Sequence, residues 1–111
     1  MKEQKGKTNP KEVRKGVKHI WKNTRKIAEA FNQIEYRNTT VKRVYMSPYL
    51  LNKAKEQENQ GTMELPYLIY FDKKELWGAK IHLDSDLPQN KIRICGGDNR
   101  KSYCRNIYYQ Y

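Results

Sequence analysis

The sequence predicts an α+β protein, with a long N-terminal amphipathic helix and a short second helix packed on a mostly antiparallel sheet of about four to five strands. Two observations carry this. Helical periodicity is confined to two segments, 11–36 and 49–59. The remainder consists of short apolar or alternating runs separated by turn residues. A chain of 111 residues fits one domain, which we place at 10–111 after a flexible basic arm at 1–9.

The first helix is predicted from capping and spacing. Asn9 and Pro10 supply an N-cap and a first-turn proline. From Lys11 to Tyr36 the inward positions step by four and three, and Thr24 is their only polar member. This stripe fits either a coiled-coil dimer or packing on the chain's own sheet. We favour the second, because the stripe covers only about three heptads.

The other elements follow from local signals. Residues 39–46 alternate and are rich in β-branched side chains, which predicts a strand. Ser47 and Pro48 begin a short helix over 49–59, which ends at Gly61. Further strands are predicted at 65–71, 77–83, 91–95 and 102–109. In the strand at 77–83, alternation separates two faces, one bearing Ala79, Ile81 and Leu83 and the other bearing Lys80 and His82.

Charge is the strongest functional signal. The chain carries 23 Lys+Arg and 12 Asp+Glu, a net charge of +11, and the excess is concentrated in residues 2–26. Six cations of the first helix fall within an arc of roughly 100°, and such a face attracts phosphates. The predicted nucleic-acid contacts are these six and four C-terminal cations, namely Lys11, Lys15, Lys18, Lys22, Arg25, Lys26, Arg93, Arg100, Lys101 and Arg105.

The C-terminal residues have two readings. Basic and aromatic residues alternate there, a pattern that holds single-stranded bases by stacking and charge. The same alternation places Tyr103, Ile107 and Tyr109 on one strand face with Arg105, as core packing requires. We favour core packing for that face.

The two cysteines, Cys95 and Cys104, are too few for a disulfide scaffold or a closed zinc site. We expect reduced thiols, with a hairpin disulfide as the alternative because both flank one turn. His82, Cys95, Cys104, Asp84 and Asp86 lack metal-ligand spacing, and the two aspartates are expected to form a turn.

No catalytic constellation, Gly-rich phosphate loop or cofactor motif is found in the sequence, so we predict a non-enzymatic protein without cofactors. The longest apolar stretch, at 65–71, is too short to span a bilayer, and no apolar run follows the basic N-terminus. We therefore expect a soluble cytoplasmic protein with no membrane partner.

Short runs within 44–94 resemble small phage- and prophage-encoded proteins, in which a helix opens at Ser-Pro and a Gly-x-Lys strand leads to Asp and Leu-Pro. The runs are VYMSP at 44–48, LWGAKIHLD at 76–84, DLP at 86–88 and IRI at 92–94. The resemblance implies a phage source, the host cytoplasm as location, and one of two roles: nucleic-acid binding, or inhibition of a host machine.

The sequence thus predicts a small basic protein that binds DNA or RNA through the phosphate backbone, with low sequence specificity, as a monomer or homodimer. One alternative is a protein–protein module that inhibits a host protein through a Tyr- and Trp-rich sheet. Another is a structural component of a virion or ribonucleoprotein.

Overall fold

The structure, a computed structural model, describes residues 21–37, 39–58, 63–97 and 102–110. Within these ranges the protein is α+β. The predicted arm at 1–9 and the predicted helical residues 10–20 lie outside the described residues. None of the helices described is long and apolar enough to cross a membrane.

Two helices and a six-stranded sheet make up the described part. The helices are α1 (Lys22–Glu35) and α2 (Pro48–Glu56). The strands are β1 (Val41–Met46), β2 (Ile69–Tyr70), β3 (Glu75–Leu76), β4 (Ala79–Leu83), β5 (Lys91–Gly97) and β6 (Ser102–Tyr108). Their order across the sheet is β2-β3-β4-β1-β5-β6.

The sheet is mixed, and it has six strands rather than the four to five predicted. β1 pairs parallel with β4 and antiparallel with β5, while the remaining pairs are antiparallel. A parallel neighbour requires a crossover, which α2 and the two short strands supply. β1 therefore occupies the middle of the sheet between strands that follow it far along the chain.

α1 packs its apolar face on the sheet, which confirms intramolecular packing for the described part of the stripe, from Thr24 to Ile34. Ile27 and Ile34 are fully or almost fully buried, and Phe31 is 8% exposed. The same cluster contains Val44, Ile94 and residues of α2, so both helices contribute to one core. Gly96 permits this approach, because a Cβ there would lie 2.6 Å from Ile34 Cγ2 and 2.5 Å from the Thr40 carbonyl oxygen.

α2 begins as its sequence predicts. The Ser47 hydroxyl accepts a hydrogen bond from the Leu50 N–H at 3.1 Å, and Pro48 occupies the first turn. Leu50 and Ala54 are fully buried, while Lys55, Glu56 and Glu58 are exposed. The helix ends at Glu56, three residues early.

The prediction of a strand over 65–71 is wrong in its first half. Leu65–Tyr67 form a 3₁₀ turn, and only Ile69 and Tyr70 are in β2. Pro66 has no N–H to contribute to a strand ladder. In addition, the Tyr109 hydroxyl accepts the N–H groups of Glu64 at 2.8 Å and Leu65 at 3.0 Å, which removes those donors from a strand ladder.

β3 and β4 meet in a two-residue turn at Trp77-Gly78, where the prediction has a continuous strand over 77–83. Both turn residues have positive φ, 52° and 87°, as a type I′ hairpin turn requires. The Trp77 ring packs edge-on against Phe31 with ring centroids 5.3 Å apart. This contact with α1 holds a bulky residue in a backbone conformation that glycine or asparagine usually occupies.

Cys95 and Cys104 are joined by a disulfide, so the expectation of reduced thiols is wrong. The two residues are direct register partners on β5 and β6, with Cα atoms 4.1 Å apart. That distance is typical of a non-hydrogen-bonded antiparallel pair, which brings opposed side chains closest. The alternative prediction from the sequence, a hairpin disulfide, is confirmed.

A buried polar cluster ties the start of α1 to the end of the sheet. The Glu64 carboxylate is 7% exposed and accepts the Thr24 N–H at 2.6 Å and the Thr24 hydroxyl at 2.8 Å. Its other oxygen accepts from the Asn23 N–H at 3.4 Å. The Asn23 side chain also exchanges two hydrogen bonds with the Gln110 backbone, at 2.7 and 2.8 Å.

We expect Glu64→Gln to lower the free energy of unfolding by about 2 kcal/mol, because hydrogen bonds to a charged group are lost and an amide donor then faces the helix N–H groups. Urea denaturation measures the change. The control is Glu56→Gln, an exposed α2 residue, where the expected change is below about 0.5 kcal/mol. Equal effects of the two variants would show that Glu64 caps nothing.

We expect the double variant Cys95→Ser/Cys104→Ser to lose about 2–3 kcal/mol of stability, because the disulfide closes a short loop in the unfolded chain. Thermal unfolding with and without dithiothreitol gives the internal control. Reductant is expected to lower the midpoint of the wild-type chain and to leave the double variant unchanged. A wild-type chain that titrates with two free thiols before reduction would contradict the pairing.

Candidate functional site

The predicted nucleic-acid contacts do not form one surface in the described part of the chain. Lys11, Lys15, Lys18, Arg100 and Lys101 lie outside the described residues. Lys22 is exposed at the first turn of α1. The other four described cations, Arg25, Lys26, Arg93 and Arg105, are each at least half-buried.

Several of these cations contact protein groups. The Lys26 ammonium donates to the Tyr108 carbonyl oxygen at 3.1 Å. The Arg105 guanidinium donates to Gln33 Oε1 at 2.8 Å and to the Cys104 carbonyl oxygen at 3.1 Å. Arg25 has a buried Nε without a hydrogen-bond partner. Lys26 and Arg105 therefore fasten α1 to β6, and the structure gives them a packing role that the sequence does not show.

The core-facing side of β6 follows the favoured alternation. Tyr109, just beyond the strand, is 1% exposed and binds the turn before β2 through its hydroxyl. Tyr103 and Ile107 are half-buried on the α1 side, and the Arg37 guanidinium lies 4.7 Å from the centroid of the Tyr103 ring. Core packing is confirmed for Tyr109 and Ile107 on this strand face.

The opposite side of the sheet carries a different set of side chains, and both described helices pack on the far side from it. We call it the open face. Strand register defines its members in three rows. The first row is Tyr70, Glu75, Lys80, Arg43, Cys95 and Cys104; the second is His82, Tyr45, Arg93 and Asn106; the third is Lys91 and Tyr108.

The open face is basic. Among its row residues are four cations, against a single carboxylate at Glu75; they are Arg43, Lys80, Lys91 and Arg93. β1 also has an irregularity in register between Val41 and Arg43, and Lys42 within it is exposed. The cations therefore outnumber the carboxylate over a surface that spans all six described strands.

Cross-strand contacts fix the orientation of the two arginines. Arg93 Nε donates to Asn106 Oδ1 at 3.1 Å. Arg43 reaches across β5, and its Nη2 donates to Ser102 Oγ at 2.9 Å on β6. Each guanidinium keeps further N–H donors beyond the one used, since arginine has five. Both side chains are thus held along the sheet with donors left for a ligand.

Aromatic rings are interleaved with these cations. The Tyr45 and His82 rings stack on neighbouring strands, with centroids 5.2 Å apart and planes at 27°. Tyr70 is 47% exposed and Tyr108 is 49% exposed. The Lys91 ammonium lies 5.8 Å from the centroid of the Tyr108 ring. The open face therefore combines positive charge with planar apolar groups.

A concavity of about 540 Å³ lies on the other side of the sheet, between the C-terminal half of α1 and β6. Its lining includes Tyr36, Arg37 and Arg105, and Tyr36 is 89% exposed. Both guanidiniums there already contact protein groups, Tyr103 and Gln33 respectively. Its lining contains two cations, whereas the open face carries four.

The predicted aspartate turn is confirmed. Asp84 Oδ1 accepts the Asp86 N–H at 2.9 Å, as in an Asx turn. The described residues contain no group of three or more His, Cys, Asp and Glu side chains placed to hold a metal ion.

Comparison with protein-family models, with curated proteins and with solved structures finds no match for this chain. The resemblance to phage-encoded proteins and the cytoplasmic location stay predictions. The functional argument therefore depends on the open face and on the charge of the chain.

Proposed function

We propose that this protein binds nucleic acid through the phosphate backbone and that the open face is its main contact surface. The observation that carries the proposal is the set of four cations on a sheet face that neither described helix covers. Each phosphate neutralised by Lys or Arg releases condensed counterions, which favours association. The net charge of +11 adds long-range attraction toward any polyanion.

An ordinary solvated surface is the simplest alternative. Such surfaces usually mix both signs of charge, and α2 does so within the described residues, with Lys53 and Lys55 beside Glu56. The open face instead sets Arg43, Lys80, Lys91 and Arg93 against Glu75 alone. This imbalance supports a polyanionic ligand.

The basic helix stays in the proposal as a second contact. Lys22 is exposed, and Lys11, Lys15 and Lys18 precede it at helical spacing in the sequence. Phosphate contacts position a protein but carry no sequence information directly. We therefore propose binding with low sequence specificity and without catalysis.

The double variant Lys80→Gln/Lys91→Gln tests the open face. We expect its affinity for nucleic acid to fall about tenfold or more at about 0.1 M salt, because two phosphate contacts are lost. The slope of log K against log salt is expected to shrink by up to about 0.7 per contact with single strands. Fluorescence anisotropy from about 50 to about 300 mM salt measures both quantities.

The matched control is Lys53→Gln/Lys55→Gln, which removes the same charge from α2 on the other side of the sheet. Here we expect affinity to change less than about twofold, through long-range charge alone. Lys18→Gln/Lys22→Gln measures the contribution of the helix. If the open-face variant and the control variant lose affinity equally, the open face is an ordinary solvated surface and not the contact surface. Absence of binding at about 150 mM salt would favour a protein partner.

A further inference from the structure

We propose that the open face binds single-stranded nucleic acid, with unpaired bases stacking on its aromatic rings. The inference rests on the proposed function and narrows its ligand class from nucleic acid in general to single strands. It is carried by the rings of the open face, their exposure and their spacing, and it is independent of the basic helix.

Four rings stand on this face and form three separate platforms. Tyr45 and His82 form one platform as a stacked pair, and His82 is exposed. Tyr70 and Tyr108 are each about half exposed, at 47% and 49%. A base that extends the Tyr45–His82 stack gains a planar contact of the kind that holds bases in many single-strand binding proteins.

Each platform has a cation beside it. The Lys73 ammonium lies 5.2 Å from the Tyr70 ring centroid, and the Lys91 ammonium lies 5.8 Å from that of Tyr108. Arg93 is the register neighbour of Tyr45. A nucleotide stacked on any of the three platforms therefore places its phosphate within reach of a positive charge, which is the pairing that single-strand binding uses.

The spacing of the platforms favours an unstacked strand. Tyr45 and Tyr108 are two strands and two residues apart in the register, a separation of roughly 12 Å at standard sheet dimensions. Bases within a helical strand are only about 3.4 Å apart. Consecutive bases that occupy both platforms must therefore be splayed apart, which a single strand permits and a duplex does not.

A duplex also lacks the groups that the rings recognise. Its bases expose edges in the grooves, and their faces are covered by stacking. Reading those edges requires a helix or ribbon that enters a groove, and both described helices pack on the far side of the sheet. On this face a duplex is limited to phosphate contacts, so the rings contribute only to binding of single strands.

The test compares labelled oligonucleotides of about 20 nucleotides, a dT strand and an rU strand, with DNA and RNA duplexes of the same length. We expect single strands to bind at least about tenfold more tightly than duplexes at equal salt. Tyr45→Leu keeps an apolar side chain but removes the ring, and is expected to weaken single-strand binding about fivefold or more at an unchanged salt slope. The dT and rU arms distinguish DNA from RNA.

Two controls accompany this variant. Tyr45→Phe keeps the ring and is expected to bind single strands as tightly as the wild-type protein does. Tyr49→Leu removes a ring that is 45% exposed, close to the 49% of Tyr108, from α2 on the other side of the sheet, and is expected to leave the affinity unchanged. If thermal melting shows that Tyr45→Leu does not fold, Tyr108→Leu, at a half-exposed ring on the edge strand, replaces it as the test.

The outcomes separate the inference from the proposed function. Equal affinity for single strands and duplexes, with Tyr45→Leu unchanged and Lys80→Gln/Lys91→Gln weakened, overturns the inference and leaves phosphate binding in place. No binding to any of the oligonucleotides overturns the proposed function and the inference with it. Single-strand preference that Tyr45→Leu abolishes and Tyr45→Phe keeps supports both.

Discussion

The placement of α1 depends on the buried carboxylate of Glu64. A helix N-terminus leaves backbone N–H groups without partners inside the helix and carries partial positive charge. Glu64 satisfies both demands at Asn23 and Thr24, although it is about 40 residues away in sequence. The backbone N–H of Glu64 is in turn bound by the Tyr109 hydroxyl. One cluster therefore joins α1, the turn before β2 and the end of the sheet, and holds α1 against the core side. Neither described helix covers the other side of the sheet.

Elements with local signals were predictable from the sequence. The Ser47 and Pro48 cap fixed the start of α2, and alternation correctly separated Lys80 and His82 from Ala79 and Ile81. Leu83, placed with Ala79 and Ile81, is nonetheless 44% exposed. The apolar run at 65–71 led to a wrong strand prediction. A short unbroken apolar run has no periodicity that identifies its secondary structure, and Pro66 was given less weight than its apolar neighbours.

Non-local pairing was beyond the sequence. The parallel β1–β4 pair links residues more than 30 positions apart, and neither strand carries a mark of its partner. The disulfide was only partly predictable from the sequence. Cys95 and Cys104 flank one predicted turn, so their pairing was visible as an alternative, but composition alone favoured free thiols. The cysteines can pair because the cross-strand register of β5 and β6 places them opposite each other.

The same limit applies to the candidate site. Net charge predicts a polyanionic ligand, but the predicted contacts include only Arg93 from the open face. Arg43 and Tyr45 alternate with the buried Val44 and Met46, so their outward direction was readable in β1. Their alignment in rows with Lys80, His82 and Arg93 was not readable in the sequence, because the rows require β1 to lie between β4 and β5. A basic stripe on one helix is visible in sequence, whereas a basic surface shared by several strands is not.

The contacts of Lys26 and Arg105 also affect the edge of the sheet. β6 is the last strand in the described sheet order, and at seven residues it is a long edge. The non-hydrogen-bonded register at Cys104 turns the carbonyl groups of Cys104 and Tyr108 away from β5, toward that edge. Arg105 and Lys26 bind those two oxygens. Two of the acceptors that an incoming strand would use are thereby taken by cations, which protects this edge against strand addition and aggregation.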